Sequence, residues 1–328
     1  MKESREVSLH WSQQNEEVTG YWQLKFLLVV FRIFPVLILR LLAFPIGFFY
    51  FIFSKRVRAE SHRFLQKVSQ CIDDSVLAKK CRSSFRALRH ILSFSLSLIE
   101  KIQSWGGKFP FKDIHFQNDN ITDLIRDLEV GKGALLICSH LGNAELLRGL
   151  TNFDRTGVSR KILVTVIVDT KVTVYFNRML KELNPQSGMD IISTEEIGPE
   201  TAVLLEDRLA KGGLVAIAGD RTSAMGGNNI MIPFLGKEAP FPSGVFHLAS
   251  IMNAAIYFVF GLRQKDLSLR PKYNMHVHKS YISFDCTRKE RIERSLLLAE
   301  SFASFLENYC KRQPFQWYNF FDFWQESD

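Results

Sequence analysis

Apolar positions fall into three successive patterns along the chain. From Phe26 to Phe53 the sequence FLLVVFRIFPVLILRLLAFPIGFFYFIF is almost wholly apolar, broken by Arg32, Pro35, Arg40, Pro45 and Gly47. From about Ala59 to Ile102, residues such as Phe64, Leu65, Val68, Leu88, Ile91, Leu92, Phe94 and Leu98 recur at steps of three and four, which predicts two amphipathic helices. After residue 110, short apolar runs alternate with helical stretches. GALLICS (133–139), KILVTVIV (161–168), MDIIS (189–193), GLVAIAG (213–219) and AAIYFVFGL (254–262) read as strands bounded by Gly, Asp or Asn. Between them, 145–153, 175–183, 199–210 and 246–253 read as helices. YNMHVHKSYISFD (273–285) alternates as a half-exposed strand, and 288–308 reads as a closing helix. This order predicts an α/β fold: a mixed, mostly parallel sheet flanked by helices, preceded by a hydrophobic membrane-anchoring helical segment.

The apolar segment is long enough to meet a bilayer. Its longest uninterrupted piece, 41–53, is shorter than the roughly 20 residues of a straight span, and each arginine inside a membrane costs several kcal/mol (~2.5–3.5) unless it snorkels. A tilted span and an in-plane hairpin fit as well as one straight helix, and a buried hydrophobic helix pair inside a soluble protein is the competing reading. No small-residue cleavage site follows; the segment runs directly into Lys55, Arg56, Arg58 and Arg63, whereas residues 1–21 hold only Lys2 and Arg5. That bias places the bulk of the chain on the cytoplasmic side. A formal charge of +8 suits an acidic partner. The five cysteines are widely spaced with no CxxC pair, which indicates neither a disulfide framework nor a zinc site.

In open α/β sheets, reactive residues collect where strands end and helices begin. His140 sits at such a junction in ICSHLGNAELLRGL, with a turn through Gly142 and Asn143 and a helix opening near Glu145. A carboxylate five positions after a histidine, across a turn, can take one imidazole nitrogen and leave the other free as a general base. The spacing equally fits a turn histidine followed by an acid at a helix N-terminus.

ICSHLGNAELL, followed about eighty residues later by GDRTSAMGGNNIMIPFLGKEAPFPSGVFHLASIMNAAIYFVFG, resembles the bacterial lipid A biosynthesis acyltransferases, the late lauroyl/myristoyl transferases within the wider glycerophospholipid acyltransferase superfamily. The resemblance covers roughly residues 22–328. It matches the family's HxxxxD/E signature at His140 and Glu145, and its second landmark at Asp220, Arg221 and IPFLG (232–236). It implies an N-terminal anchor in the bacterial inner membrane and a catalytic domain on the cytoplasmic face. It also implies transfer of a fatty acyl group from an acyl thioester, on acyl carrier protein or coenzyme A, to a hydroxyl of a membrane lipid or glycolipid. The GDR turn, FPSG (241–244) and QWYNFFDFW (316–324) are more similar to the divergent branch found with aryl-polyene and flexirubin pigment lipids, so a lipid A precursor is not fixed as acceptor.

On this basis the chain divides into a tail (1–21), a membrane anchor (22–54), a helical lead-in (55–110) and a catalytic domain (111–328). His140 is the expected base and Glu145 its orienting acid. Arg221, with Asp220, either holds the carrier's phosphopantetheine or an acceptor phosphate and steadies the oxyanion, or forms a surface ion pair at a loop. Gly142 and Asn143 either donate amides near the reacting carbon or permit the turn. Ser243 and Gly244 line a pocket, or Ser243 caps the following helix. Ser139 directly precedes His140 and Cys138 is expected on the opposite strand face, so neither is placed as a nucleophile and direct transfer is expected. His276 and His278 are expected to face solvent; no metal, nucleotide or other cofactor motif occurs. The aromatic tail, with Trp317, Tyr318, Phe320, Phe321, Phe323 and Trp324, is expected to pack on the sheet. A scaffold protein keeping the fold without catalysis is the competing class. Nucleic-acid binding is opposed by the dispersed basic residues and the lack of any RNP, helix-turn-helix or zinc pattern.

Overall fold

A computed structural model describes residues 29–31, 33–117, 120–146, 158–160, 162–168, 189–194, 197–221 and 228–324. The expectations for 1–21, for a helix over 175–183, for most of a helix over 145–153 and for most of the Gly-rich turn after Arg221 lie outside these residues.

Helix α1 (Val36–Phe53) is, among the described residues, the one helix long and apolar enough to cross a membrane. Only Leu39, Ala43 and Gly47 of it are buried. Their spacing of four makes one narrow stripe, and it lies along α4 (Arg86–Trp105). At Gly47 a β-carbon would stand 2.7 Å from Ser95 Oγ, so the small residue is what lets the two helices approach. The opposite face, including Leu37, Leu41, Phe48, Phe49, Ile52 and Phe53, is exposed.

Where two lead-in helices were expected, the chain forms three: α2 (Lys55–Cys71), α3 (Ser75–Arg82) and α4. The extra break is local. Asp74 accepts hydrogen bonds from the backbone N–H of Val76 and Leu77, capping α3 and ending the helical path from α2.

Strands β1 (Ile114–Phe116), β2 (Ala134–Gly142), β3 (Val164–Val168), β4 (Met189–Ser193), β5 (Leu214–Ala218), β8 (Ala255–Arg263) and β9 (Tyr273–Lys279) form one sheet in the order β1-β9-β8-β2-β5-β3-β4. The pairs β8–β2, β2–β5, β5–β3 and β3–β4 are parallel, and β8–β9 is antiparallel. The expected mixed, mostly parallel α/β sheet is therefore present. A hairpin of β6 (Asn229–Phe234) and β7 (Lys237–Pro242) lies apart from it. Helices α5 (Ile121–Glu129), α6 (Pro199–Ala210), α7 (Ser243–Ile251) and α8 (Arg288–Arg312) complete the described elements. Strand alternation sorts the core into two layers. Leu135 and Ile137 of β2 join one apolar cluster with α8, and Ala134 and Leu136 join the other with α5.

Two boundaries and the facing of one histidine pair differ from the sequence pattern. β9 stops at Lys279 although alternation runs to Asp285, because the hydroxyls of Ser280 and Ser283 accept the amides of Ile282 and Asp285 and take them out of the ladder. Helix α8 opens on a capping box between Thr287 and Glu290 and continues to Arg312. His276 and His278 are half-buried beside α8 rather than open to solvent. Their rings stack, and His278 Nε2 shares a 2.7 Å hydrogen bond with Tyr309 Oη on α8.

Beneath the end of β8, Arg263 pairs with Glu100 of α4, and Tyr273 Oη donates to the same carboxylate; all three side chains are fully buried. Arg263→Met is expected to lower unfolding free energy by about 3–5 kcal/mol, because it strands a buried carboxylate. Adding Glu100→Gln should recover part of that loss. Denaturant titration of both variants in mild detergent checks the pair.

Candidate active site

The parallel pair β2–β5 positions the site. Its register runs from Ala134 opposite Leu214 to Cys138 opposite Ala218, a constant offset of eighty residues. Extended two residues past the last paired position, that offset sets Asp220 against His140. The His140 side chain keeps 27% of its surface exposed, whereas Asp220 keeps 1%. His140 Nδ1 lies 2.8 Å from Asp220 Oδ1, and the His140 backbone N–H donates to Oδ2 at 2.7 Å. Trp317 Nε1–H donates to the same Oδ2 at 2.8 Å. A carboxylate buried among three donors is an acceptor, so Nδ1 carries the proton and Nε2 presents its lone pair.

Asp220 thus takes the place expected for Glu145. Past Gly142, held in a left-handed turn (φ +70°), residues 144–146 form a single tight helical turn. It directs the Glu145 carboxylate to Lys101 Nζ on α4, at 3.1 Å. Sequence spacing missed both Asp220 as the imidazole's partner and Lys101 as a cation beside the histidine.

Burial and the Arg221 guanidinium, opposed by Asp220, hold the His140 imidazole below the ordinary histidine range, and Lys101 adds to the lowering. Burial works against the Asp220 carboxylate. The His140 ring, the Trp317 indole and the His140 amide nonetheless keep its pKa below the usual aspartate value. The pair therefore rests as neutral imidazole and carboxylate, the state that can accept a proton from a hydroxyl.

The other expected residues separate. The left-handed Gly142 turn packs against Gly261 so closely that a β-carbon would strike the Gly261 carbonyl, and the Asn143 N–H donates to that carbonyl at 2.8 Å. Of the two roles open to Gly142 and Asn143, the structure shows the turn. The Asn143 side chain is fully buried, and neither of its polar atoms has a partner among the described residues. Arg221 reaches the Tyr318 carbonyl at 3.5 Å. Ser243 does not cap α7, whose N-cap is Pro242; its hydroxyl donates to the Asn228 carbonyl. Gly244 is exposed. Among the described residues neither Ser243 nor Gly244 bonds to the His140 cluster. Cys138 is closer to the site than expected. Burial first, then the charges of Glu145 and Asp220, push its thiol far above the ordinary range, which disfavours the thiolate.

The aromatic tail packs inside the protein, as expected, and also enters the site. The Tyr318 N–H donates to the His140 carbonyl, and Leu141 bridges to Trp317. The IPFLG segment forms the β6–β7 hairpin turn, with positive φ at Leu235 and Gly236. It places Phe234 against Trp317, Phe323 and Trp324, with centroids 5.4–6.0 Å apart. Through Trp317, that hairpin supports Asp220.

A mixed, mostly parallel α/β sheet, carrying a histidine paired with a buried carboxylate at the strand ends and preceded by one long apolar helix, defines the class as an α/β protein with an N-terminal apolar helix. Residues 10–326 match the family described as Bacterial lipid A biosynthesis acyltransferase, and the chain belongs to that family. It is accordingly an acyltransferase with a lipid acceptor. No curated protein matches the chain.

Proposed function

We propose that this protein transfers a fatty acyl chain from the phosphopantetheine thioester of acyl carrier protein to a hydroxyl of a membrane lipid or glycolipid, with His140 as general base and Asp220 as its positioning residue. The His140–Asp220 contact is the observation that carries the reading, because it fixes a neutral imidazole with Nε2 open. Nε2 takes the proton as the hydroxyl oxygen attacks the thioester carbonyl carbon. The negative oxygen that forms lies within the field of Arg221. The carbon–sulfur bond then breaks, and the imidazolium returns its proton to the departing thiolate. With Cys138 held as a thiol, no covalent enzyme intermediate is invoked.

Glu145 acts through Lys101: the pair braces the turn that carries His140, and Lys101 helps keep the imidazole neutral. The net charge of +8 supports an acidic carrier protein over coenzyme A as donor. Segment 22–54 serves as the anchor of the catalytic domain at the cytoplasmic face of the bacterial inner membrane. The lengthwise contact of α1 with α4 favours an in-plane setting for that helix. The departures at GDR, FPSG and QWYNFFDFW favour an acceptor of the pigment-lipid type over a lipid A precursor.

Transfer of labelled acyl chains from acyl carrier protein to extracted membrane lipids, with coenzyme A thioester as the parallel donor, tests the reading. No labelled lipid from either donor would sink it. The pH dependence supplies an independent check. The base form is required, so activity is lost as pH falls through the His140 pKa, which lies below the ordinary histidine value. Arg221→Gln removes a cation that disfavours the imidazolium; the pKa rises, and the acid limb of the pH–rate profile should move to higher pH, alongside any fall in maximal rate.

A further inference from the structure

A second polar concavity opens beside the N-terminal half of α1. It is a cleft of about 300 Å³ whose lining includes Arg40, Phe109, Lys112, Asp113, Arg270 and Lys272. Four cations face a single carboxylate there. Arg40 belongs to the apolar helix, yet its guanidinium turns inward. Nη1 donates to the Leu269 carbonyl at 2.8 Å and Nη2 to Gln103 Oε1 at 2.6 Å, while Nε is buried without a partner among the described residues. Lys112, Arg270 and Lys272 are exposed at the rim, and no ion pair engages them among the described residues. Three like charges beside a fixed guanidinium repel one another unless an anion joins them.

The surroundings say what carries that anion. Val36 also lines the cleft, and the neighbouring Ile33, Phe34, Leu37 and Leu41 expose their side chains, so the cations border an open apolar strip. Sheet topology adds direction. β9 begins at Tyr273 opposite Arg263, the last residue of β8, and Gly261 of β8 pairs with Gly142 of β2. Arg270 and Lys272 therefore lie at the same end of the sheet as His140.

We propose that this cleft binds the phosphate of a lipid headgroup, held by Arg40, Lys112, Arg270 and Lys272, with the lipid's chains lying along the exposed face of α1. The phosphate comes either from an anionic phospholipid of the membrane or from a phosphorylated acceptor. Either would hold the strand ends that carry His140 against the lipid surface.

Partition of the purified full chain is read by flotation with three vesicle types: phosphatidylcholine alone, phosphatidylcholine with phosphatidylglycerol, and phosphatidylcholine with a phosphorylated disaccharide lipid. Both substitutions in Lys112→Glu/Lys272→Glu are at exposed positions, so folding is preserved and circular dichroism verifies it. The variant should lose the preference for vesicles whose headgroup phosphate is not neutralised by choline about tenfold. The control Lys132→Glu/Lys289→Glu makes the same charge change at exposed positions outside the cleft, Lys132 at the opposite end of β2, and should change the preference less than about twofold. Arg40→Gln should weaken the preference in the same direction as the cleft pair. Loss with both anionic lipids assigns the site to anionic lipid phosphate in general, and loss confined to the disaccharide lipid assigns it to an acceptor. Equal losses in the two double variants, or none in the cleft pair, would overturn the proposal. No acyl donor is present, so this outcome is independent of whether acyl transfer itself is observed.

Discussion

His140→Ala is expected to reduce acyl transfer by about 10²–10⁴-fold, the range that a positioned general base contributes. The substitution leaves the sheet intact, since His140 lies beyond the last regular β2–β5 pair and its side chain is partly exposed. It also removes the ring that occupies Asp220 Oδ1. The carboxylate keeps the His140-position backbone N–H and the Trp317 indole as donors. A loss of about 1–3 kcal/mol in stability is expected from the vacated acceptor, and the depressed pKa of Asp220 should rise toward normal. Steady-state rates with acyl carrier protein as donor, beside denaturation curves, separate the two effects. A folded His140→Ala enzyme with unchanged turnover would refute the base assignment and favour a scaffold that keeps the fold without the chemistry. His140→Gln, closer in size, guards against a rate loss caused by collapse of the turn.

Much of the fold was legible in the sequence, as was the His140 end of the candidate site but not its carboxylate partner, and the division has a physical cause. Strands announce themselves through local alternation and apolar runs, so GALLICS and GLVAIAG were readable as elements, each followed directly by a polar residue. Their mutual register is a non-local property. ALLICSH and LVAIAGD become neighbours only when β2 and β5 pair, and only the offset of eighty residues reveals that His140 meets Asp220. The local spacing of His140 and Glu145 pointed to the wrong carboxylate for the imidazole because a left-handed Gly142 and one tight turn redirect Glu145 toward α4. Lys101 carried no signal at all: it lies on an amphipathic helix, where a lysine ordinarily marks the solvated face. Trp317 was readable as a packing residue, but its indole N–H, the polar handle of a buried tryptophan, needed a partner that sequence alone could not name. The strand beyond Lys279 failed for the opposite reason. Alternation persists there, while nearby serine hydroxyls take the amides a ladder would need.

The largest effect is expected at Asp220. Three N–H donors converge on its two oxygens, two of them on Oδ2 and the His140 ring on Oδ1. Asp220→Asn keeps the shape but supplies only one acceptor oxygen. That oxygen is best placed at the Oδ2 position, where it satisfies both the His140 amide and the Trp317 indole. The amide NH₂ then faces His140 Nδ1, which must become an acceptor. Its proton moves to Nε2, and the nitrogen that should accept the substrate proton no longer has a lone pair. The expected fall in kcat is about 10⁴-fold, the size seen when a histidine base is locked in the wrong tautomer, with a stability loss of only about 1–2 kcal/mol. Raising the pH cannot restore the rate. Asp220 favours the imidazolium, so its loss lowers the His140 pKa further, and the ring is already neutral. The Asp220→Asn pH–rate profile should therefore stay low and flat where the native enzyme is active, and the nitrogen chemical shifts of the His140 ring should show the proton on Nε2. A variant that retained Nδ1–H and a rate within about tenfold of native would mean that Asp220 serves packing alone.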